Sequence, residues 1–191
     1  MLDILLIVLA IVAVAVAGIL IFAATKPDTF AIERSTSIAA APDAIFPLIN
    51  DLRAHRAWSP FDQNPDMQRT YSGPSKGPGS ALEFADRKSG TGRLDITDAS
   101  QPSQVTMRLR MTKPMNCDNV VKFSLVPRAG ATEVTWAMSG PQPFIGKVMS
   151  TVINCDKMCG TMFEKGLADL KAVAESGVAP ESARERQRQT A

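Results

Sequence analysis

Apolar and polar positions follow one another along this chain in three different rhythms, and each rhythm predicts a different kind of element. From Ile4 to Ala24 the chain reads ILLIVLAIVAVAVAGILIFAA, with no charged or polar side chain. At about 1.5 Å of rise per residue that run makes a helix of roughly 31 Å, matching a hydrocarbon core of about 30 Å. It predicts one transmembrane helix, with residues 1–25 as a membrane anchor. A cleaved secretory signal is the competing reading, but it calls for a basic leader and an apolar run of about 7–15 residues. The leader here is Met1-Leu2-Asp3, without Lys or Arg, although Ala23-Ala24-Thr25 would still suit a peptidase.

The second rhythm has a period of two. Phe30 and Ile32, then Ser35 and Ser37, alternate with Ala31, Glu33 and Arg34, predicting a strand over 29–39. Pro42 then sits where the first turn of a helix accepts it, and Ile45, Phe46, Leu48 and Ile49 supply an apolar face, with Pro47 and Asn50-Asp51 keeping that helix short. A further short helix is predicted from Leu52 to Ala57. Beyond Met67 the texture is strand and turn. Gly73 to Gly79 (GPSKGPG) marks a loop, and Leu82-Phe84 and Gly92-Leu94-Ile96 occupy alternate positions. Val105, Met107, Leu109 and Met111 alternate with polar residues, as do Cys117, Asn119, Val121, Phe123 and Leu125, and then Val134, Trp136 and Met138. These are half-buried antiparallel strands with one face on a core.

After Pro143 the period lengthens to about 3.6. Phe144, Val148, Val152, Cys155, Cys159, Phe163, Leu167, Leu170 and Ala174 recur every three or four residues, while Lys147, Asp156, Lys157, Glu164, Lys165 and Lys171 mostly face elsewhere. One long amphipathic helix is predicted, with Gly146, Gly160 and Gly166 as weak points or close-packing positions. Antiparallel strands followed by one long helix imply an α+β fold in which a curved sheet wraps that helix.

Composition narrows the function classes. With 21 basic and 19 acidic residues the net charge is +2, and no basic stripe is interleaved with aromatics, so nucleic acid is not an expected partner. Residues 29–176 suffice for one domain, and 177–191 (GVAPESARERQRQTA) lack apolar periodicity and are expected to be a disordered polar tail. Lys26 and Arg34 follow the apolar run and no basic residue precedes it, which places the soluble domain on the cytoplasmic side. Three cysteines, an odd number without scaffold spacing, agree with reduced thiols.

Catalytic and metal signatures are sparse. His55 is the only histidine and, between Arg53 and Arg56, is expected at the surface. Cys155 and Cys159, with Met158 and Met162 nearby, form a soft-ligand cluster that could hold monovalent copper, but both cysteines fall on the apolar stripe, where packing explains them. No metal, no cofactor and no catalytic residue is assigned. GPSKGPG is a proline-broken loop rather than a nucleotide-binding one.

The order of elements, together with IERSTSIAAAPDAIFPLINDLRAHRAWSPF, the Tyr71–Pro74 segment YSGP, and VTWAMSGPQPF followed by DKMCGTMFEKGLADLK, resembles the START-like helix-grip superfamily, the SRPBCC group of polyketide cyclase/dehydrase and lipid-transport proteins. The resemblance covers about residues 30–175. It implies an apolar cavity between sheet and C-terminal helix, and it supplies no universal acid, base or nucleophile to carry over. On that implication the inward positions become candidate ligand contacts: Trp58, Phe84, Met107, Leu109, Asn119, Phe123, Trp136, Met138, Val152, Cys155 and Cys159. Asn119 either meets a ligand or water in the cavity or is turned outward by a bulge, and Met107, Met111, Met138, Met149, Met158 and Met162 either line the cavity or fill the core. The expected function is membrane-anchored binding or transfer of a lipid-like or polycyclic ligand. The alternatives are a cyclase, dehydratase or hydrolase working in the same cavity, which needs a titratable group pointing inward, and a purely structural or partner-binding domain.

Overall fold

The computed structural model describes residues 2–87, 89–152 and 155–177, with side chains at all of these except Leu2, Val152 and Cys155. The apolar run forms helix α1 (Leu2–Ala24), which projects from the rest of the chain with its large side chains exposed. Residues 25–28 connect it to β1 (Thr29–Ile38). Next come α2 (Pro42–Asn50), a 3-10 turn (Ala54–Ala57) and six strands: β2 (Gln68–Ser72), β3 (Ala81–Asp86), β4 (Gly90–Ser100), β5 (Gln104–Lys113), β6 (Cys117–Arg128) and β7 (Ala131–Pro141). The chain then forms α3 (Phe144–Val152) and α4 (Cys155–Glu175).

The strands make one antiparallel sheet in the order β1-β7-β6-β5-β4-β3-β2. Alternation decides its faces, because successive side chains on a strand point to opposite sides. Val105 and Met107 on β5, Val121, Phe123 and Leu125 on β6, and Val134 and Trp136 on β7 are all buried. The sheet closes on α4, whose Phe163, Leu167 and Leu170 are at most 2% exposed, and on α2 through Ile45, Phe46, Leu48 and Ile49. This is the predicted α+β helix-grip arrangement. Pro47 sits inside α2 without ending it, and the second short helix is the 3-10 turn alone.

Two glycines let α4 lie close. The Arg34 guanidinium occupies the space a Cβ would take at Gly160, and at Gly166 a Cβ would stand 2.6 Å from the Trp136 ring. Arg34 therefore continues the inward phase of β1 after Phe30 and Ile32, in place of the expected shift toward Ser35 and Ser37. It bridges to α4 through Glu164 (Nε to Oε1, 2.9 Å) and Asp156 (Nη2 to Oδ2, 3.1 Å).

The C-terminal helical region is described in two stretches, α3 and α4, and residues 153 and 154 between them lie outside the described residues. α4 packs on β1 and β7, whereas α3 packs against α1. Lys147, expected on a polar face, is instead buried, with its Nζ donating to Asp28 Oδ1 at 2.6 Å, and that ammonium holds the Asp28 carboxyl below the usual range. Lys26 Nζ donates to the Ser150 carbonyl at 2.8 Å, and the Gln142 N–H donates to the Asp28 carbonyl at 2.7 Å. The connector is thus tied to α3 at several points. Of the tail, residues 178–191 lie outside the described residues.

Candidate functional site

Between sheet and α4 the side chains leave a cavity of about 280 Å³. The strand register locates it. Its wall takes Met107, Leu109 and Met111 from the later part of β5, Cys117 to Phe123 from the earlier part of β6, and Trp136 and Met138 from the later part of β7. Met138 is opposite Ile32 and Met111 is opposite Cys117, so this is the half of the sheet where β1 begins, nearest α1. The other half is filled by α2 and the core around Ile38, Val105 and Leu125.

Nine of the candidate contacts surround this one space: Trp58, Phe84, Met107, Leu109, Asn119, Phe123, Trp136, Met138 and Cys159. The side chains of Val152 and Cys155 lie outside the described residues. Of the methionines, Met107, Met111 and Met138 line the wall, whereas Met149 and Met158 are exposed.

An aromatic floor gives the cavity its shape. Trp136 stacks on Phe163 with ring centroids 4.3 Å apart and planes at 5°, lies 4.9 Å from Phe123, and meets Trp58 edge-on at 5.6 Å. Offset and edge-on pairs of this kind suit the quadrupoles of the rings. Trp58 is fixed by its Nε1–H, which donates to the Leu48 carbonyl at 2.9 Å. Trp136 Nε1–H is buried and has no partner among the described residues.

The wall is apolar but not wholly so. Asn119 points inward, as its phase requires, with no bulge between β5 and β6 to turn it out. Its amide nitrogen donates to two weak acceptors, Cys117 Sγ at 3.5 Å and Met138 Sδ at 3.8 Å, and its Oδ1 is unpartnered. Asp62 is 5% exposed; its Oδ1 accepts from Arg69 Nε at 2.6 Å while Oδ2 has no partner. A buried polar atom left unpaired costs roughly 1–3 kcal/mol, so these atoms mark positions where a ligand hydroxyl or amide would be favoured.

His55 corrects the sequence reading. It is 5% exposed rather than on the surface, packs on Trp58 at 4.9 Å between centroids, and forms part of the cavity wall. Its Nε2 lies 2.8 Å from the Ile49 carbonyl, and since a carbonyl only accepts, Nε2 carries the proton and Nδ1 the lone pair. Burial lowers the pKa, against the opposing pull of that hydrogen bond and of Asp62 and Asp51. Burial likewise pushes the Cys117 thiol up, so it stays protonated near neutrality.

A larger groove of about 480 Å³ lies on the outer face of β2 to β5. It is shallow and its charges are already matched: Arg93 pairs with Glu83 and Asp95 at 2.7 Å, and Arg110 with Asp95 at 2.6 Å. Arg108 pairs on the same face with Asp118. Glu83, Asp95 and Arg108 are therefore not cavity residues, and the inner space is the better candidate site. Among the described residues no three His, Cys, Asp or Glu side chains are grouped to hold a metal ion.

Comparison with known proteins places these features. The family model described as polyketide cyclase / dehydrase and lipid transport matches residues 29–175. No curated protein matches the sequence. Among solved structures, the Aha1 dimer from Colwellia psychrerythraea aligns with a TM-score of 0.57 at 19% identity, over 78% of this chain and 99% of that one. Protein CV1439 from Chromobacterium violaceum aligns at 0.55 and 15% identity, again over 78% and 99%. Ara h 8.0201 aligns at 0.54 and 10% identity, with the same coverage. At such identities the likeness is one of fold.

Proposed function

The chain belongs to the polyketide cyclase / dehydrase and lipid transport family, within the START-like SRPBCC superfamily, and from that premise we propose that residues 29–176 bind a hydrophobic small molecule beside a membrane in which residues 1–25 are the anchor. The observation that carries this reading is the position of the cavity: an apolar space in the half of the sheet where the chain leaves α1. Its volume of about 280 Å³ lies at the lower edge of ligand pockets, which run from about 300 to 1,000 Å³. That size suits one acyl segment or a compact ring system better than a two-chain lipid. The unpartnered Asn119 Oδ1 and Trp136 Nε1 favour a ligand with a hydroxyl or amide, able to donate to one and accept from the other. Lys26 and Arg34 beyond the apolar run support a cytoplasmic domain. The polar tail is proposed to stay solvated.

The test is ligand identification. The full chain, purified in detergent from cells, is expected to release a co-purifying apolar molecule in native mass spectrometry and to bind a fluorescent fatty acid. Leu109→Trp, which fills the cavity, is expected to weaken that binding at least about tenfold, or about 1.4 kcal/mol. No bound molecule and no fatty-acid binding would overturn the proposal.

His55 favours a second reading, conversion rather than carriage. A neutral imidazole with a bare Nδ1 on the wall of an apolar cavity has the protonation state of a general base. If it acts so, His55→Gln should hold a chemically different, unconverted molecule when its extract is compared with wild type. Identical extracts favour carriage.

A further inference from the structure

We propose that α3, with Met115 and Met158, is a docking face that lies in the bilayer interface and forms the entrance through which ligand passes between membrane and cavity. The inference rests on reading α1 as the membrane anchor, and it adds a second, independent membrane contact to it.

Three observations support it. First, α3 is held at the depth where the apolar span ends. It packs against α1, and exposure along α1 is lowest in the final turns, with Ala23 fully buried and Ile19 and Leu20 the least exposed of its large side chains. The ties Lys26–Ser150 and Asp28–Lys147 fix it there. A helix beside the last turns of a bilayer-spanning run is at the boundary between acyl chains and headgroups.

Second, α3 keeps large apolar side chains out of the protein. Phe144, Ile145 and Met149 are 51%, 58% and 42% exposed. Two others share that end of the domain: Met158 on the first turn of α4, and Met115 in the β5–β6 turn, which the register places at the end of the sheet where β1 begins, across β7 from it. Clustered exposed apolar side chains mark an interaction surface, and short amphipathic helices bury such a face about 5–10 Å into the interface. Continuity with α1 identifies the occupant as lipid.

Third, the cavity lies in the same half of the fold. Met115, Met149 and Met158 are exposed, and Met111 and Met138 line the cavity wall, so methionines would mark both ends of the proposed route. These are unbranched thioethers that adapt to apolar ligands of differing shape.

Depth-dependent quenching tests the proposal. The full chain, with its three cysteines replaced by Ala, is labelled with an environment-sensitive fluorophore at Ile145→Cys, at Ile11→Cys in α1, or at Val126→Cys at the opposite end of the sheet. It is then reconstituted in phosphatidylcholine vesicles containing nitroxide lipids. Position 145 is expected to be quenched by nitroxide near the headgroup, position 11 by nitroxide deep in the acyl chain, and position 126 by neither. Quenching at 11 without quenching at 145 overturns the docking face and leaves the anchor standing. Absence of quenching at 11 overturns the anchor and the inference with it. A blue shift at 145 without nitroxide quenching assigns the face to a protein neighbour and overturns the lipid assignment.

A second measurement keeps the native cysteines. Phe144→Ser, Ile145→Ser and Met149→Ser combined should slow transfer of a fluorescent fatty acid from vesicles to the cavity by about tenfold, the factor given by about 1.4 kcal/mol. Affinity in detergent should be unchanged. Equal transfer rates would overturn the entrance.

Discussion

Helices α3 and α4 follow one another in the chain and share a spacing of apolar side chains, yet they bury that surface in different places. On α4, Phe163, Leu167 and Leu170 are at most 2% exposed against the sheet, and Gly160 and Gly166 admit Arg34 and Trp136 to close range. On α3, Phe144 and Ile145 remain more than half exposed and the helix leans on α1. The contrast teaches that amphipathic spacing records that a face has a partner without saying which. For α4 the partner is the sheet, whereas for α3 the proposed partner is the bilayer.

Truncations should show the contrast most strongly. Phe163→Ala removes a stacked ring beneath Trp136 and is expected to cost about 3–5 kcal/mol, read from urea unfolding in detergent by the fluorescence of Trp58 and Trp136. Ile145→Ala should stay within about 0.5 kcal/mol in the same assay. Equal losses would break the comparison by making α3 part of the core. The next effect is at the seat of α4. Gly166→Ala sets a methyl against Trp136 and the Pro60 ring, an overpacking of about 1–3 kcal/mol. Gly160→Ala should be milder, since the group in its way is the movable end of Arg34.

A pH titration separates the cavity wall from α3. His55 has a folded pKa below the unfolded 6.5, so its contribution is complete above that pH and is lost as the pH falls toward the folded value. Over that window the unfolded chain binds more protons, and stability should drop by up to about 1.4 kcal/mol per pH unit. His55→Gln should flatten this slope in denaturation midpoints, while lipid quenching at α3 stays unchanged. The smallest effect is expected from Arg34→Gln. Its ion pairs with Asp156 and Glu164 are solvent-accessible, so the small loss at low salt should vanish at high salt.

Much of the lining of the candidate site was legible in advance, because a strand of period two divides its side chains between faces without ambiguity. Met107, Leu109, Asn119, Phe123, Trp136 and Met138 follow from alternation alone, and Phe163, Leu167 and Leu170 from the helical period. Other parts were not legible, for identifiable reasons. His55 lies in a 3-10 turn between two arginines, where composition suggests a solvated face and only the tertiary fold brings the ring under Trp58. Asp62 belongs to a loop with no periodicity, and its burial depends on Arg69 reaching back from β2. The burial of Lys147 depends on Asp28, more than a hundred residues earlier.

The ties across residues 25–28 have a mechanical consequence. A connector held by Lys26 to Ser150, by Asp28 to Lys147 and by the Gln142 N–H has no slack, and it behaves as a welded joint rather than a swivel. A transmembrane helix tilts when the bilayer is thinner than its apolar length and stands upright when it is thicker. If α1 spans a bilayer as proposed, the sheet would rock with each such change, and membrane thickness would set the angle at which the cavity meets the lipid.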